Sequence, residues 1–299
     1  MKTVVIYHSA DFDGIFCREI AQKFLPDAEL IGWNYGDPTP AWEHLGGSER
    51  LYMLDISVAS LMDHPNLIWI DHHKSAIEKY PASIPGYRID GVAACRLAWQ
   101  WFTRPAIDDG VSPRLPLKRD FVDRTVHEPL AVRLAGEYDI WDKRDPDAQL
   151  FQHGLRSVPL TDGIWDELLE PKNLPNLVRV LLDNGSCLQF ARQEENKSII
   201  RELGFTLEWE GLTFLACNHA RFNSLLFTDG LQIWHDACFG FKWTGKDWSV
   251  SLYHAPGKEH HDLSLIATKY GGGGHRGACG FRSNTLPFLN QPEPIDPLK

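Results

Sequence analysis

Short apolar runs that end in polar residues are the main pattern of this chain. Residues 4–7, 51–54 and 67–70 are apolar, and each run is followed at once by an acidic residue or a histidine. Such runs, rich in Val, Ile and Leu with little alternation, predict buried strands of a parallel sheet. A fourth run, residues 134–138, precedes Asp139 but is less clearly a strand. Because ligands of an open α/β sheet bind beyond the carboxyl ends of its strands, these polar residues are expected to converge.

Helical segments are predicted between the strands. Residues 14–24 carry apolar side chains four positions apart, and further helices are predicted at 91–102 and 128–137. Residues 29–33 predict another strand. The order strand, helix, strand with short connections predicts an α/β fold with a doubly wound, mostly parallel sheet.

The pattern changes after a polar helix predicted at 187–203. Strands separated by turns follow, including one at 233–243, and then a helix at 263–270. This order of strands and a helix predicts a smaller α/β C-terminal domain. The proline-rich tail after Leu286 is expected to be loose. The sequence Asp183-Asn184-Gly185 is interpreted as a break between the domains. The predicted bounds are 1–185 for the first domain, 186–204 for a connecting helix and 205–299 for the second domain.

Composition narrows the class of protein. The 299 residues suffice for one large domain or two ordinary ones, and the formal net charge of −10 disfavours binding to long duplex nucleic acid. Six scattered cysteines without a C-x-x-C pair predict reduced, mostly buried thiols in a cytoplasmic protein. The apolar run before His8 is too short for a signal peptide or a membrane span, so no membrane partner is expected.

The residues at the strand ends favour a metal site. A single Asp at a strand end is usually a helix cap, and a single His is usually an ordinary surface or core residue. Here four segments in succession end in an acid or a histidine, and this repetition favours a functional site over four unrelated structural residues. Carboxylate oxygens and imidazole nitrogens without thiolates suit manganese or magnesium better than structural zinc. Six or seven candidate ligands exceed what one ion needs, which favours a two-metal site.

A glycine run in the C-terminal part is the second candidate site. Residues 271–274 are all glycine, and His275 and Arg276 follow. A tetraglycine can be a flexible linker, but the helix before it and the residues after it favour a packed turn. Without Cβ atoms, backbone amides can approach an anion closely, so this turn is a candidate phosphate site, although a glycine-rich loop alone is weak evidence for one.

Together these motifs resemble the DHH phosphoesterase superfamily with its C-terminal DHH-associated domain, including nanoRNases and RecJ-type exonucleases. The resemblance covers nearly the whole chain. Its carriers are His8-x-x-Asp11-x-Asp13, Asp55, Asp71-His72-His73, Asp139 and Gly271–His275. It implies a dimanganese site in the first domain, with the second domain closing over it. The implied ligand set is His8 and Asp11 on one ion, Asp13, His72 and Asp139 on the other, and Asp55 bridging both.

The resemblance also implies roles in catalysis and substrate binding. Asp71 and His73 would act beside the metals, with His73 as the candidate acid near the leaving oxygen. The implied substrate-binding residues are Gly272, Gly273, Gly274, His275 and Arg276. The implied function is a dimanganese-dependent phosphodiesterase that hydrolyses short oligonucleotides or small nucleotides to mononucleotides.

Two other functions remain open on the sequence. One is a phosphomonoesterase or polyphosphatase acting on a small phosphate substrate. The other is a catalytically inactive nucleotide-binding module, which the intact ligand set argues against. Asp142 is close enough in sequence to share the role of Asp139, and Trp141 between them is the candidate for base stacking among tryptophans otherwise assigned to core packing. A homodimer is compatible with the sequence.

Overall fold

The chain forms two compact units in a computed structural model, Met1–Gln189 and Phe190–Lys299. The structure describes residues 2–35, 37–38, 45, 47–104, 114–171 and 176–289. The proline-rich tail lies, from residue 290 onward, outside these residues.

The first unit alternates strands and helices. Its strands are β1 (Thr3–His8), β2 (Glu29–Trp33), β3 (Arg50–Leu54), β4 (Leu67–Asp71) and β5 (Gly86–Arg88). Its helices are α1 (Phe12–Phe24), α2 (Lys74–Lys79), α3 (Ala94–Thr103), α4 (Lys118–Val122), α5 (Leu130–Asp139), α6 (Asp147–Gly154) and α7 (Asp162–Leu168). A long helix, α8 (Asn176–Leu203), contains the boundary between the units.

The five strands form one parallel sheet in the order β2-β1-β3-β4-β5. Alternate residues of each strand enter two different cores, so Val5 packs with α1 and α3 whereas Val4 and Ile6 pack on the opposite face. Burial on both faces explains why the strand sequences are continuously apolar. The predicted doubly wound α/β fold is confirmed.

The predicted break at residues 183–185 is wrong, because these residues lie inside α8. A Cβ atom on Gly185 would lie 1.9 Å from the carbonyl oxygen of Leu150 in α6. A Cβ atom on Gly154, at the end of α6, would lie equally close, 1.9 Å, to the carbonyl oxygen of Leu181 in α8. These two glycines let the helix backbones touch, so Gly185 serves close packing and not a turn. The run before Asp139 is likewise helical, as the end of α5.

The second unit is built on a mixed sheet of six strands in the order β10-β11-β9-β8-β7-β6. Only β7 and β8 pair in parallel. The core on one side is aromatic, around Trp209, Phe239 and Phe281. Its elements are β6 (Gly204–Trp209), β7 (Leu212–Asn218), β8 (Ala237–Trp243), β9 (Trp248–His254), α9 (Leu263–Lys269), β10 (Gly273–His275) and β11 (Ala278–Ser283).

The strand predicted at 233–243 begins only at Ala237. Before it, the Gln232 amide donates to His235 Nδ1 at 2.9 Å, and the His235 amide donates to the Gln232 carbonyl at 3.0 Å. These local bonds hold a turn instead of a strand.

Two further features concern the cysteines and the hydropathy of the helices. All six cysteines are free thiols, and only Cys187 is exposed. Within the described part of the chain, no helix combines the length and apolar character that a membrane span requires.

Candidate metal centre

The strand order places the candidate ligands at the point where the chain reverses the direction in which it adds strands to the sheet. The chain winds from β1 to β2 on one side and then returns to β3 on the other side of β1. Ligands of open α/β sheets bind in the crevice that opens at such a switch point. His8 ends β1 and Asp55 directly follows β3, so both flank this crevice.

The start of α1 adds two carboxylates beside His8. Asp11 caps the helix, and its side chain accepts a hydrogen bond from the Gly14 amide at 3.0 Å. Gly14 allows this tight turn, since a Cβ atom there would lie 1.8 Å from the carbonyl oxygen of His8. Asp13 is 2% exposed. Its two oxygens accept hydrogen bonds from the Ala94 and Cys95 amides, both at 2.8 Å.

Asp13 therefore has two roles in the fold. It satisfies amides at the N-terminus of α3 and, being an anion there, is favoured by the helix dipole. The same carboxylate faces the candidate ligands from β4, because its Oδ2 atom lies 3.6 Å from His72 Nε2.

Asp55 occupies the centre of the candidate site. It is 1% exposed, and its φ of 60° lies in the left-handed region that Asp and Asn tolerate better than most residues. Its Oδ2 atom lies 3.3 Å from His8 Nδ1. Its Oδ1 atom is buried without a hydrogen-bond partner among the described residues. His72 Nε2 lies 3.3 Å and His73 Nδ1 3.8 Å from this oxygen, so a positive charge, on an imidazole or on a bound cation, would compensate its burial.

The end of β4 positions two imidazoles through Asp71. The Asp71 carboxylate accepts hydrogen bonds from Trp69 Nε1 at 3.0 Å and from the His72 amide at 2.6 Å. It also accepts from the His73 amide at 3.0 Å and from His73 Nδ1 at 2.8 Å. With four bonds accepted, Asp71 holds the turn and orients His73, as an acid beside a ligating imidazole does in metal sites.

His72 points into the cluster of carboxylates. Its Nε2 atom lies 3.3 Å from Asp55 Oδ1 and 3.3 Å from Asp139 Oδ2. Asp139 is the last residue of α5, so a helix and not a strand delivers this ligand.

Three sets of side chains bring ligand atoms within 4.8 Å of one another: His8, Asp11 and Asp55; Asp13, His72 and Asp139; and Asp55, His72 and His73. The first two sets reproduce the groupings implied by the sequence resemblance, and Asp55 adjoins both. Every donor is a carboxylate oxygen or an imidazole nitrogen, which suits manganese or magnesium. This donor set fits a divalent metal ion.

The shifted pKa values of the cluster also favour a bound cation. Hydrogen bonds to Asp11 and then Asp55 raise the pKa of His8 to about 10. Burial alone would lower the pKa of His72, but the neighbouring carboxylates outweigh it and raise that pKa to about 10. Burial, and then the charge of a neighbouring aspartate, raise the pKa values of Asp13 and Asp139 to about 7. The acids thus favour positive charge in their midst, which a divalent cation supplies.

Asp142 lies outside these three sets. Its carboxylate forms a bidentate pair with Arg144, with one contact of 2.6 Å, and the pKa of Asp142 is held below its usual value by that pair. Trp141 is 65% exposed and stacks on Tyr138 with ring centroids 5.9 Å apart. Asp142 is thus engaged by Arg144, whereas Asp139 faces the cluster.

The glycine motif forms an edge strand of the second unit. β10 pairs only with β11, so its outer backbone groups are not used by the sheet. A Cβ atom on Gly272 would lie 2.1 Å from the Gly280 carbonyl oxygen. The Gly272 amide donates to the Ala267 carbonyl at 2.8 Å. Gly272 therefore serves close packing, and its amide is already occupied.

The remaining residues of the motif differ in the space around them. Gly273 has no atom near its missing side chain, whereas Gly274 has a φ of +134° and a Cβ atom on it would lie 2.7 Å from Cys279 Cα. His275 is exposed. Arg276 has a side chain 64% exposed, and it contacts Asp262 at 3.5 Å. These residues remain the candidate anion donors of the second unit.

Comparisons with known proteins bear on the fold. No protein-family model matches the chain. Uncharacterized protein R106 of Acanthamoeba polyphaga mimivirus is 24% identical over an alignment of 234 residues that covers 74% of this chain and 49% of that protein. The chain thus spans about half the length of this relative.

Two solved structures match over almost the whole chain. A pGpG-specific phosphodiesterase from Vibrio cholerae superposes with a TM-score of 0.53 at 13% identity, covering 95% of this chain and 94% of that one. A DHH domain from a member of the s1p family of ribosomal proteins gives a TM-score of 0.53 at 14% identity, with coverage of 95% and 83%. The chain shares the fold of this phosphodiesterase and of this DHH domain. The fold implied by the sequence resemblance is confirmed, and within the DHH fold His8, Asp55 and His72 lie together at the switch point of the sheet.

Proposed function

We propose that the protein is a phosphodiesterase that uses two divalent metal ions, most effectively manganese, to hydrolyse short oligonucleotides or small nucleotides to mononucleotides. One observation carries this proposal. Two sets of metal-ligating side chains meet at Asp55, whose buried Oδ1 atom has no hydrogen-bond partner among the described residues. The DHH fold supports the same class of chemistry.

The proposed mechanism divides the work between metals and side chains. Bound in a pair, divalent ions generate a nucleophile at neutral pH and neutralise the charge that develops on a phosphoryl group. His8, Asp11 and Asp55 would hold one ion, and Asp13, His72 and Asp139 the other. The neighbouring carboxylates orient these imidazoles, with Asp11 Oδ2 2.9 Å from His8 Nδ1 and Asp139 Oδ2 3.3 Å from His72 Nε2.

His73 is proposed to protonate the leaving oxygen. Its Nδ1 atom is tied to Asp71 at 2.8 Å, which leaves Nε2 as the atom that can give a proton. Its side chain is 44% exposed, so a substrate can reach it. A positioned imidazole of this kind typically contributes about 10²- to 10⁴-fold to a rate.

The second unit is proposed to bind one end of the substrate. Gly273, Gly274, His275 and Arg276 offer donors sufficient for a single phosphate. The acidic chain lacks a run of basic residues that would follow a long backbone, which favours small substrates.

The test is a screen of metals and substrates with the purified protein. After treatment with a chelator, activity is expected to return best with manganese and to be absent with calcium alone. Dinucleotides, cyclic dinucleotides, phosphoadenosine phosphate and pyrophosphate would be compared, with products identified by chromatography. Hydrolysis of pyrophosphate alone would favour a polyphosphatase. Metal binding without any hydrolysis would indicate an inactive binding module.

A further inference from the structure

A pocket of about 400 Å³ lies in the first unit beside the candidate metal centre. It is lined by residues that follow β2 and β3 and by the N-terminal and C-terminal ends of α2, so it belongs to the carboxyl edge of the sheet. The principal lining residues are Trp33, Tyr35, Ser57, His73, Lys79 and Tyr80.

The pocket is continuous with the proposed catalytic residues. His73 is part of its wall, and the same imidazole lies 3.8 Å from Asp55 Oδ1. Ser57, on another wall, is two residues from Asp55 in sequence. A phosphate held at the metal centre would therefore have this pocket as its immediate neighbour.

The aromatic wall is held rigid although part of it faces solvent. Tyr35 is 58% exposed. Its hydroxyl accepts a hydrogen bond from the Ser57 amide at 3.0 Å and lies 3.1 Å from Ser57 Oγ. Its ring packs against Trp33 in an edge-on arrangement, with centroids 5.6 Å apart. An exposed ring fixed in this way loses little further freedom when a ligand stacks on it.

The other lining groups suit a planar ligand with polar edges. Lys79 carries the ammonium group of the pocket, with Nζ 4.9 Å from the Tyr80 ring centroid. Serine hydroxyls add donors and acceptors, and no residue of the described lining is acidic. Aromatic faces with a few polar groups at the rim bind nucleobases, because every base has a π face and an edge that bears acceptors. A chain of inorganic phosphates would gain nothing from the aromatic walls.

We propose that this pocket binds the nucleobase of the nucleotide whose phosphate is bound at the metal centre, with the base stacked on the Tyr35 ring and in edge contact with Trp33. The proposal rests on the proposed function, since it assumes a phosphate at that centre. It narrows the substrate class to nucleotides and disfavours a phosphoester or polyphosphate without a base.

The first experiment compares a dinucleotide with its abasic analogue. Tyr35→Leu removes the ring from a largely exposed position, so the fold should persist, and thermal unfolding checks this. In the variant, KM for the dinucleotide should rise by about 5- to 150-fold, the range for the loss of one base–aromatic stack. KM for the abasic analogue should not change. Tyr35→Phe keeps the ring and loses only the bond to Ser57, so its KM should stay within about 5-fold of the wild type.

The matched control is Trp243→Leu, which removes an aromatic side chain of similar exposure, 52%, from the second unit. It should leave KM for both substrates unchanged. An equal rise in KM for the dinucleotide and its abasic analogue in Tyr35→Leu would overturn the pocket proposal, and so would no rise for either. Both results would leave the proposed hydrolysis standing.

A binding experiment tests the pocket without turnover. Calorimetric titration of manganese-loaded protein with a nucleoside monophosphate and with ribose 5-phosphate compares ligands that differ only in the base. Tyr35→Leu should weaken binding of the nucleotide by the same factor and leave the sugar phosphate unaffected. If the wild type hydrolyses nothing but shows this difference, the pocket stands and the proposed function fails. If the two ligands are weakened equally, the pocket proposal fails.

Discussion

Substitution of Asp55 by asparagine separates metal binding from folding. Asparagine has the shape of aspartate and also tolerates the left-handed backbone at this position, where φ is 60°. Alanine would add backbone strain to the loss of a ligand, so Asp55→Asn is the cleaner variant. The amide keeps an acceptor for His8 but lacks the charge that a bridging ligand requires.

The expected magnitudes follow from linkage. At a metal concentration about 100-fold above Kd, each bound ion stabilises the folded state by about 2.7 kcal/mol, so two ions contribute about 5.4 kcal/mol. For a unit the size of Met1–Gln189, each kcal/mol corresponds to roughly 2–4 °C in Tm, so manganese should raise the wild-type Tm by about 11–22 °C. Without metal, the variant exchanges a charged acceptor for a neutral one, a loss of about 1 kcal/mol that relief of repulsion among the acids offsets. Its metal-free Tm should therefore differ by less than about 4 °C.

The assay is thermal unfolding with chelator and with manganese, together with calorimetric counting of bound metal. Asp55→Asn should lose the manganese-dependent rise in Tm and most hydrolysis. The control is Asp63→Asn, an exposed residue before β4 and thus at the opposite edge of the sheet, which should retain the full rise. The same rise in Tm for wild type and Asp55→Asn, with two manganese ions bound to each, would refute the assignment of Asp55 as the bridging ligand.

Three further predictions address the other parts of the molecule. His275→Ala should raise KM for a dinucleotide by about 10- to 100-fold without releasing metal. In the wild type, initial rates measured on substrates of two to twenty nucleotides should fall with length. A rate that rises with length would contradict the small-substrate proposal. Gly185→Ala should destabilise the protein by about 1–3 kcal/mol in a denaturant titration, because its Cβ atom would overlap the Leu150 carbonyl. The control is Gly163→Ala in α7, which should be neutral or stabilising because no atom lies within 4 Å of the new Cβ atom. Burial lowers the pKa of His235 below 6.5, so the unfolded chain binds a proton at a higher pH than the folded chain does. His235 should therefore lower the free energy of unfolding as pH falls through 6.5, by at most about 1.4 kcal/mol per pH unit. The variant His235→Asn should lose less stability than the wild type between pH 7.5 and 5, and equal losses would contradict this origin.

The sequence was sufficient to predict the parallel sheet, and it singled out most of the residues that the structure brings together in the candidate metal centre. A buried parallel strand must be apolar along its length, so the polar residue that ends it is visible as a change of pattern. Since all parallel strands end at one edge, His8, Asp55 and His72 could be brought together without coordinates. The resemblance to the DHH superfamily added Asp139, which the pattern alone assigned to an uncertain strand and the structure assigns to the end of a helix.

Other features depended on contacts between residues distant in sequence. The interpretation of Gly185 as a break failed because a glycine that ends a helix and one that lets two helices touch look alike in a sequence. The pocket formed by Trp33, Tyr35 and Lys79 was also missed, since their positions after strands and within a short helix carry no common spacing. Their only sequence signal is that Tyr35 follows a strand at the ligand-binding edge.

The sequence by itself therefore determined which donor atoms the protein offers and at which edge of the sheet, because alternation and strand ends are local properties. Only the tertiary structure decided what each donor does. Asp13 and Asp71 are both buried acids of the motifs, yet Asp13 reaches across 81 residues to the amide of Ala94 and still faces His72, whereas Asp71 uses its oxygens on its own turn and on Trp69. Asp55 alone keeps a buried oxygen without a hydrogen-bond partner among the described residues of this carboxylate cluster. Which oxygen is satisfied by protein and which is left for a cation depends on the packing of helices and strands that are far apart in the chain.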